Sequence, residues 1–194
     1  LMSKLIKEEI LIILEIFTFL IENNNSQYLL DKGLIRWLID LSVHNQLFEC
    51  RSKTTKIFRE FVNCICKLVL SNPNCFTEDT LIQRVFDIIK TVSSDCKFDY
   101  KPHIFRLCYT FFSCSPSQLF EQMIVNDFHV VFLEDIKIGL HFENEIEPIL
   151  RTIMRFLEYF EPYQLAQLID EDELIGFFND SNYDENAGLM INSI

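Results

Sequence analysis

Apolar side chains recur every three or four residues along most of the chain, a spacing that places them on one face of an α-helix. The pattern predicts helices over residues 3–22, 26–31, 33–42, 54–70, 77–92, 102–114, 116–125, 127–138, 145–160, 163–170 and 172–179. No segment alternates apolar and polar residues over a useful length, as a half-buried strand would. The sequence therefore predicts an all-α protein with no significant sheet.

The first predicted helix, residues 3–22, differs from the others because it is apolar on nearly all sides. Such a helix is typical of an inner position in a layered protein. The polar segment from Asn23 to Ser26 is predicted to break it. Residues 43–53 and 93–101 are predicted to form loops.

A faint internal repeat of about 45–48 residues runs through the chain. Its clearest copy extends from Gln27 to Leu41, and the weaker copies are 74–88, 122–136 and 167–180. The position six residues after the leading amide steps by 47, 48 and 45 residues, through Gly33, Thr80, Phe128 and Glu173. A unit of this period cannot bury its own apolar face, so the units are expected to stack into an extended binding surface.

The segment from Gln27 to Leu41, in which Gly33 precedes an apolar run, resembles the second helix of an armadillo repeat. The turn from Ser115 to Gln118 is similar to the Ser/Thr-rich turn before the first helix of importin-alpha (karyopherin-alpha) repeats. The resemblance implies a right-handed α-α superhelix, an armadillo-like solenoid of about four three-helix repeats. HEAT repeats share this period and remain the alternative. We expect a single domain, 1–194, that is a fragment of a longer solenoid, with units near 1–22 (partial), 23–70, 71–114, 115–160 and 161–194 (partial).

Importin-alpha binds basic localisation peptides through Trp and Asn side chains four residues apart on each third helix. The corresponding positions in this chain are all apolar, and they fall near Ile13/Phe17, Cys108/Phe112 and Ile153/Leu157. The single Trp, Trp37, falls on a predicted second helix and is expected to be a packing residue. The peptide-binding ladder of that family therefore does not transfer to this sequence.

Three arginines, Arg59, Arg106 and Arg151, fall on successive predicted third helices, 47 and 45 residues apart. The resemblance implies that third helices line the concave surface, where these side chains would contact a partner's carboxylates or backbone carbonyls. The complete set of candidate partner-binding residues is Arg59, Asn63, Arg106, Tyr109, Arg151, Arg155 and Glu158. In the alternative interpretation, each arginine pairs with a nearby carboxylate or covers apolar surface with its stem.

The net charge of −12 is unevenly distributed. Residues 1–97 contain 12 Lys/Arg and 12 Asp/Glu, whereas residues 98–194 contain 5 Lys/Arg and 17 Asp/Glu. An acidic half of this kind repels nucleic acid and anionic lipid and attracts a basic protein or peptide. We therefore expect a protein or peptide partner, with no nucleic acid and no membrane as ligand. In the alternative interpretation, the acidic residues simply keep an apolar solenoid soluble.

The sequence offers little for catalysis or metal binding. The 4 histidines are scattered without helical metal-ligand spacing, and no two of the 7 cysteines have the Cys-x-x-Cys spacing of a zinc knuckle. We assign no catalytic, metal-binding or cofactor-binding residues. Cysteines at apolar helix positions indicate reduced thiols, so a cytoplasmic location is expected, with the nucleus as the alternative. No apolar stretch reaches the length of a membrane span, and the start of the chain does not resemble a secretory signal.

These observations favour a non-enzymatic scaffold or adaptor that binds an extended peptide or a partner helix in a concave groove. The first alternative is a nuclear transport adaptor, similar to importin-alpha, that holds basic cargo on the acidic half. An enzyme whose site is not visible in the sequence is the third hypothesis.

Overall fold

The computed structural model describes residues 7–44, 55–76, 83, 85–87, 90, 100–137, 146–161 and 163–164. These residues contain no strand, so the all-α prediction is confirmed for them. Their α-helices are α1 (Lys7–Leu20), α2 (Ser26–Asp31), α3 (Leu34–His44), α4 (Thr55–Ser71), α5 (Lys101–Cys114), α6 (Ser117–Val125), α7 (Phe128–Lys137) and α8 (Ile146–Tyr159). A short π-helical segment, Ile21–Asn25, follows α1.

The predicted helix boundaries agree with those of α2 to α8 to within about two residues, because each helix has a clear apolar face. The predicted helix over 77–92 is described only at residues 83, 85–87 and 90, which are helical. The predicted helices over 163–170 and 172–179 lie outside the described residues, apart from Tyr163 and Gln164. Most of the two predicted loops lies outside them as well.

The chain divides into two compact units, Leu1–Leu107 and Cys108–Ile194, and the division falls within α5. In the first unit, α1 packs against α4. Ile10 and Leu14 of α1 and Phe58 and Phe61 of α4 are almost completely buried. Burying a side chain of this size stabilises the fold by roughly 1.5–3 kcal/mol. The prediction of one continuous solenoid domain stays a prediction.

Charged pairs at the edge of the first unit join α4 to α1 and to the π-helical segment that follows α1. Lys67 Nζ lies 2.8 Å from a carboxylate oxygen of Glu22, and Lys56 Nζ lies 3.8 Å from one of Glu15. These exposed pairs add little stability, typically about 0–1 kcal/mol each. Trp37 packs edge-on against the ring of Phe17 at a centroid distance of 5.2 Å, which agrees with its predicted packing role.

The prediction that the first helix takes an inner position is wrong. Ile12, Ile16 and Phe19 of α1 are 54%, 50% and 63% exposed. One face of α1 packs against the core, and the opposite face is apolar but open to solvent. The predicted break after this helix is confirmed, because Asn24 takes a left-handed backbone conformation with φ of 62°.

The same turn joins two pairs of short helices, one pair in each unit. In the first unit, the left-handed residue between α2 and α3 is Gly33, with φ of 80°, and its N–H donates to the carbonyl of Leu30 at 2.8 Å. In the second unit, the residue between α6 and α7 is Asp127, with φ of 64°, and its N–H donates to the carbonyl of Ile124 at 3.0 Å. The equivalent of Gly33 is therefore Asp127, and the predicted repeat frame, which chose Phe128, is off by one residue at this position.

A cluster of aromatic side chains forms the core of the second unit. The ring of Phe156 lies 4.9 Å from that of Phe112 and 5.5 Å from that of Phe132, and the ring of Phe120 lies 5.5 Å from that of Phe112. Their edge-to-face and tilted arrangements match the preferred geometry of aromatic pairs. This dense packing positions α8 against the end of α5.

All five described cysteines are thiols, as predicted. Cys64, Cys66 and Cys108 are buried, and Cys75 and Cys114 are partly buried. Burial raises the pKa of both the Cys64 and the Cys75 thiol to about 12, so neither forms a reactive thiolate at neutral pH. Cys50 and Cys96 lie outside the described residues.

Candidate binding surface

Helix α4 presents a narrow polar stripe because its apolar residues occupy most other positions. Ile57, Phe58, Phe61, Val62 and Ile65 are buried. Apart from Leu70 and Ser71 at the end of the helix, the side chains left at or near the surface are those of Lys56, Arg59, Glu60, Asn63 and Lys67. Two of the predicted partner-binding residues, Arg59 and Asn63, therefore lie one helical turn apart on the same stripe.

A hydrogen-bond network, which we call the α4–α5 network, links Arg59, Glu60, Asn63 and Arg106. Arg106 Nη1 donates to Asn63 Oδ1 at 3.2 Å, and Asn63 Nδ2 donates to Glu60 Oε2 at 3.5 Å. Arg59 contacts Glu60 Oε1 through both Nε and Nη2 at 3.0 Å. Three residues predicted from the sequence thus meet in one network, and Glu60, which was not predicted, connects them.

The α4–α5 network is biased towards positive charge, since it contains two guanidinium groups and one carboxylate. Its field reaches His103 on α5, whose ring lies 6.2 Å from that of Phe58. Burial, together with the charges of Arg59 and Arg106, lowers the pKa of His103, and Glu60 offsets this only in part. The Arg59 side chain is 51% exposed, so its guanidinium is accessible to a carboxylate or carbonyl of a ligand.

In the second unit, the third predicted arginine behaves as the alternative interpretation expects. Arg151 Nη2 lies 2.6 Å from Glu147 Oε1, one helical turn away on α8. Both side chains are more than half exposed, and Glu158 further along α8 is also exposed. An exposed pair of this spacing stabilises a helix by only about 0.3–0.5 kcal/mol.

Arg155 has a structural role. Its Nη1 donates to the backbone carbonyls of Phe112 and Ser115, the latter at 2.9 Å, at the end of α5. Its guanidinium carbon also lies 4.3 Å from the centre of the Phe120 ring. These contacts satisfy carbonyls that the end of a helix leaves without intrahelical donors. Arg155 therefore holds the end of α5 against α8, and its donors point into the fold.

Tyr109 does not reach the surface. Its side chain is 1% exposed, and its backbone carbonyl accepts a hydrogen bond from Thr152 Oγ1 at 3.1 Å. Thr152 is itself fully buried and also contacts the carbonyl of Pro148 at 2.9 Å. The expectation that the Tyr109 side chain contacts a partner must therefore be corrected, because the aromatic ring belongs to the core.

These residues were not equally predictable from the sequence. Glu60 could have been found, since it follows Arg59 directly and lies three residues before Asn63, where helical neighbours meet. His103 gave no signal, because its relation to Arg59 depends on how two distant helices pack. The role of Arg155 was also hidden, because its acceptors are backbone carbonyls 40 and 43 residues earlier.

Within the parts of the chain that the structure describes, no group of three or more His, Cys, Asp or Glu side chains is placed to hold a metal ion. In the same parts, no helix combines the length and the apolar character needed to cross a membrane. No protein-family model, curated protein or solved structure matches the chain. The function is therefore inferred from the surfaces of the molecule itself.

Proposed function

We propose that this protein is a non-enzymatic interaction scaffold that binds an extended peptide or a partner helix. The observation that carries this proposal is the α4–α5 network, which collects Arg59, Asn63 and Arg106 at one accessible place on the first unit. Arginine is suited to such a site because its planar donors match carboxylates and carbonyls in pairs.

We also propose that the helices form an armadillo-like solenoid. Two features support this arrangement. The turn at Gly33 recurs at Asp127 with the same hydrogen bonds, 94 residues later, which is twice a 47-residue period. In addition, the contacts from Arg106 to Asn63 and from Thr152 to Tyr109 both span 43 residues, as expected when equivalent helices of neighbouring repeats lie side by side.

Binding at the α4–α5 network would proceed by exchange of acceptors. Arg59 is paired with Glu60 in the free protein, but its own side chain is 51% exposed, and Glu60 also accepts a hydrogen bond from Asn63 that it would keep when Arg59 moves to a ligand. A partner carboxylate could then accept hydrogen bonds from one edge of the Arg59 guanidinium, while Asn63 and Arg106 contact the neighbouring backbone of the partner. The ligand we expect is an extended segment with at least one acidic side chain.

The transport-adaptor hypothesis predicts the opposite ligand charge. It is favoured by the excess of 17 Asp/Glu over 5 Lys/Arg in residues 98–194, which would attract basic cargo. In the second unit, Glu147 and Glu158 on α8 present part of this acidic surface. The two hypotheses therefore differ in a property that a peptide selection measures directly.

The test is to select peptides from a random displayed library on the whole chain and to measure their affinities by fluorescence anisotropy. We expect acidic extended peptides that lose about 30-fold in affinity with Arg59→Ala, equivalent to about 2 kcal/mol for an interface anchor. Arg151→Ala is the matched control, because it also removes an exposed arginine from a glutamate pair, and it should leave affinity unchanged.

Two outcomes would reject the proposal. One is a set of basic peptides whose affinity does not respond to Arg59→Ala, which would favour the transport adaptor. The other is an equal loss of affinity in the Arg59→Ala and Arg151→Ala variants, which would show that general charge, and not the network, determines binding.

A further inference from the structure

The outer face of α1 is an apolar surface that the packing of the first unit leaves open. Ile12, Ile16 and Phe19 are 54%, 50% and 63% exposed, and their spacing of four and then three residues places them on one stripe. Single exposed apolar residues are common in soluble proteins, but three adjacent large ones are typical of a contact surface.

A row of glutamates runs along one edge of this stripe. Glu8, Glu15 and Glu22 are exposed and lie seven residues apart. Glu8 and Glu15 follow the stripe on α1 as the flanking positions of a coiled-coil heptad do, and Glu22 continues their row into the π-helical segment. Glu15 and Glu22 also pair with Lys56 and Lys67 of α4, but 49% and 45% of their side chains stay exposed. Each of these two carboxylates can therefore accept a further hydrogen bond from outside.

The spacing of these residues indicates what would cover them. A four-three alternation of apolar residues matches the seam of a second helix, whose knobs fit between successive turns, and it does not match the two-residue period of a strand. The charge of the glutamate row favours a partner helix that carries Lys or Arg beside its apolar seam.

A second copy of this chain fits less well. If two α1 helices paired in antiparallel fashion, the row of Glu8, Glu15 and Glu22 would lie against the same row of the other copy, and like charges would repel. If they paired in parallel, the glutamates would face Ile13 and Leu20 of the other copy, which offer no positive charge. The charge pattern therefore favours a different chain.

We propose that the outer face of α1 binds an amphipathic helix of another protein, with an apolar seam seated on Ile12, Ile16 and Phe19 and basic residues along the glutamate row. This surface lies on a different helix from the α4–α5 network and favours a partner of the opposite charge. The inference therefore goes beyond the proposed function, and either one can fail without the other.

A synthetic helix provides a defined probe. The first peptide is a fluorescein-labelled chain of four heptads with Ile at a, Leu at d and Lys at e and g, and the comparison peptide has Glu in place of Lys. We expect the Lys peptide to bind the whole chain at least 10-fold more tightly than the Glu peptide, as measured by anisotropy at about 0.05 M salt, where charges are weakly screened.

Variants of the chain locate the binding site. Phe19→Ser is expected to weaken the Lys peptide at least 10-fold and Glu15→Gln by several-fold, while thermal melts stay unchanged because both side chains are exposed. Val125→Ser is the control, since Val125 is a 79% exposed apolar residue of the second unit and should not matter. Arg59→Ala should also leave this affinity unchanged, which separates the result from that of the α4–α5 network.

Three results would overturn the proposal. If the Lys peptide bound no better than the Glu peptide, the glutamate row would have no role in recognising the partner. Full affinity in Phe19→Ser would place the binding elsewhere. A dimer of this chain in sedimentation experiments that Phe19→Ser dissociates would show that the face is covered by a second copy.

Discussion

Each of the two units contains a helix–helix contact that spans 43 residues of sequence, but the chemistry of the contact differs between them. In the first unit, Arg106 donates to a side chain, Asn63, in a partly accessible place. In the second unit, Thr152 and Arg155 donate to the backbone carbonyls of Tyr109 and Phe112.

The acceptor determines what each contact is able to do. A side-chain amide can turn towards water or towards a ligand when Arg106 leaves it, so the contact in the first unit is exchangeable. A backbone carbonyl at a helix end cannot turn away, and losing its donor while buried costs about 1–3 kcal/mol. The arginines that make these contacts in the two units are therefore not equivalent, and only those with exchangeable acceptors are candidates for binding.

The largest effect is expected in the second unit, for Arg155→Met. The substitution keeps much of the apolar stem but removes the donors to the carbonyls of Phe112 and Ser115, so it should lower the free energy of unfolding by roughly 2–3 kcal/mol. Urea denaturation followed by circular dichroism measures this. Arg151→Met on the same helix should cost no more than about 0.5 kcal/mol. Equal losses in the two variants would show that Arg155 has no capping role.

A smaller effect, of opposite sign in the two units, is expected at the shared turn. Gly33→Ala forces a side chain into a left-handed conformation and should cost about 1 kcal/mol, although no atom lies close enough to obstruct the added Cβ. Asp127→Gly relieves the same strain and should stabilise the protein by roughly half as much, since glycine also loosens the unfolded chain. Thermal melts of both variants measure the difference. If both changes destabilise, the Asp127 side chain supports its turn in a way that glycine cannot.

The smallest expected effect is on the pH dependence of stability. The pKa of His103 is lowered in the folded protein by burial and by Arg59 and Arg106, so the unfolded chain binds a proton at a higher pH than the folded one. The stability that His103 contributes is therefore present above its ordinary pKa and is lost as the pH falls through the lower, folded value. Stability should fall less on acidification in His103→Gln than in the unmodified protein. An NMR titration of the ring should also show its pKa rising in Arg106→Ala, and an unchanged titration there would argue against the influence of Arg106.

The helices were predictable because local information fixes them. The apolar periodicity of α4 and α8, for instance, predicts both their ends to within about two residues. The position of α1 was predicted wrongly, because an apolar helix face has the same sequence pattern whether or not another helix covers it. The repeat frame was off by one residue at Asp127 because it was counted as six residues from the leading amide, Gln122. The sequence did not mark the left-handed residue, because aspartate stands there and also tolerates that conformation.

The candidate site was predictable only in part. Arg59 and Arg106 were chosen from their spacing, and the structure brings them together with Asn63 because the helices that carry them are neighbours in the first unit. Spacing could not separate Arg155 from them, because its role depends on which atoms lie opposite. Tyr109 was misplaced for a related reason, since one side of α5 is polar only in its first two turns.

The reactivity of the buried thiols reports when the two units open. Cys64 in the first unit and Cys108 in the second are both fully enclosed by packed side chains. A thiol-specific reagent can reach either sulfur only when the surrounding helices separate, so the labelling rate of each sulfur reports the opening of its own unit. In versions of the chain that retain one of these cysteines, similar rates would indicate that both units open in a single cooperative event. Different rates would identify the unit that opens more readily. The labelling experiment does not require the binding partner to be known.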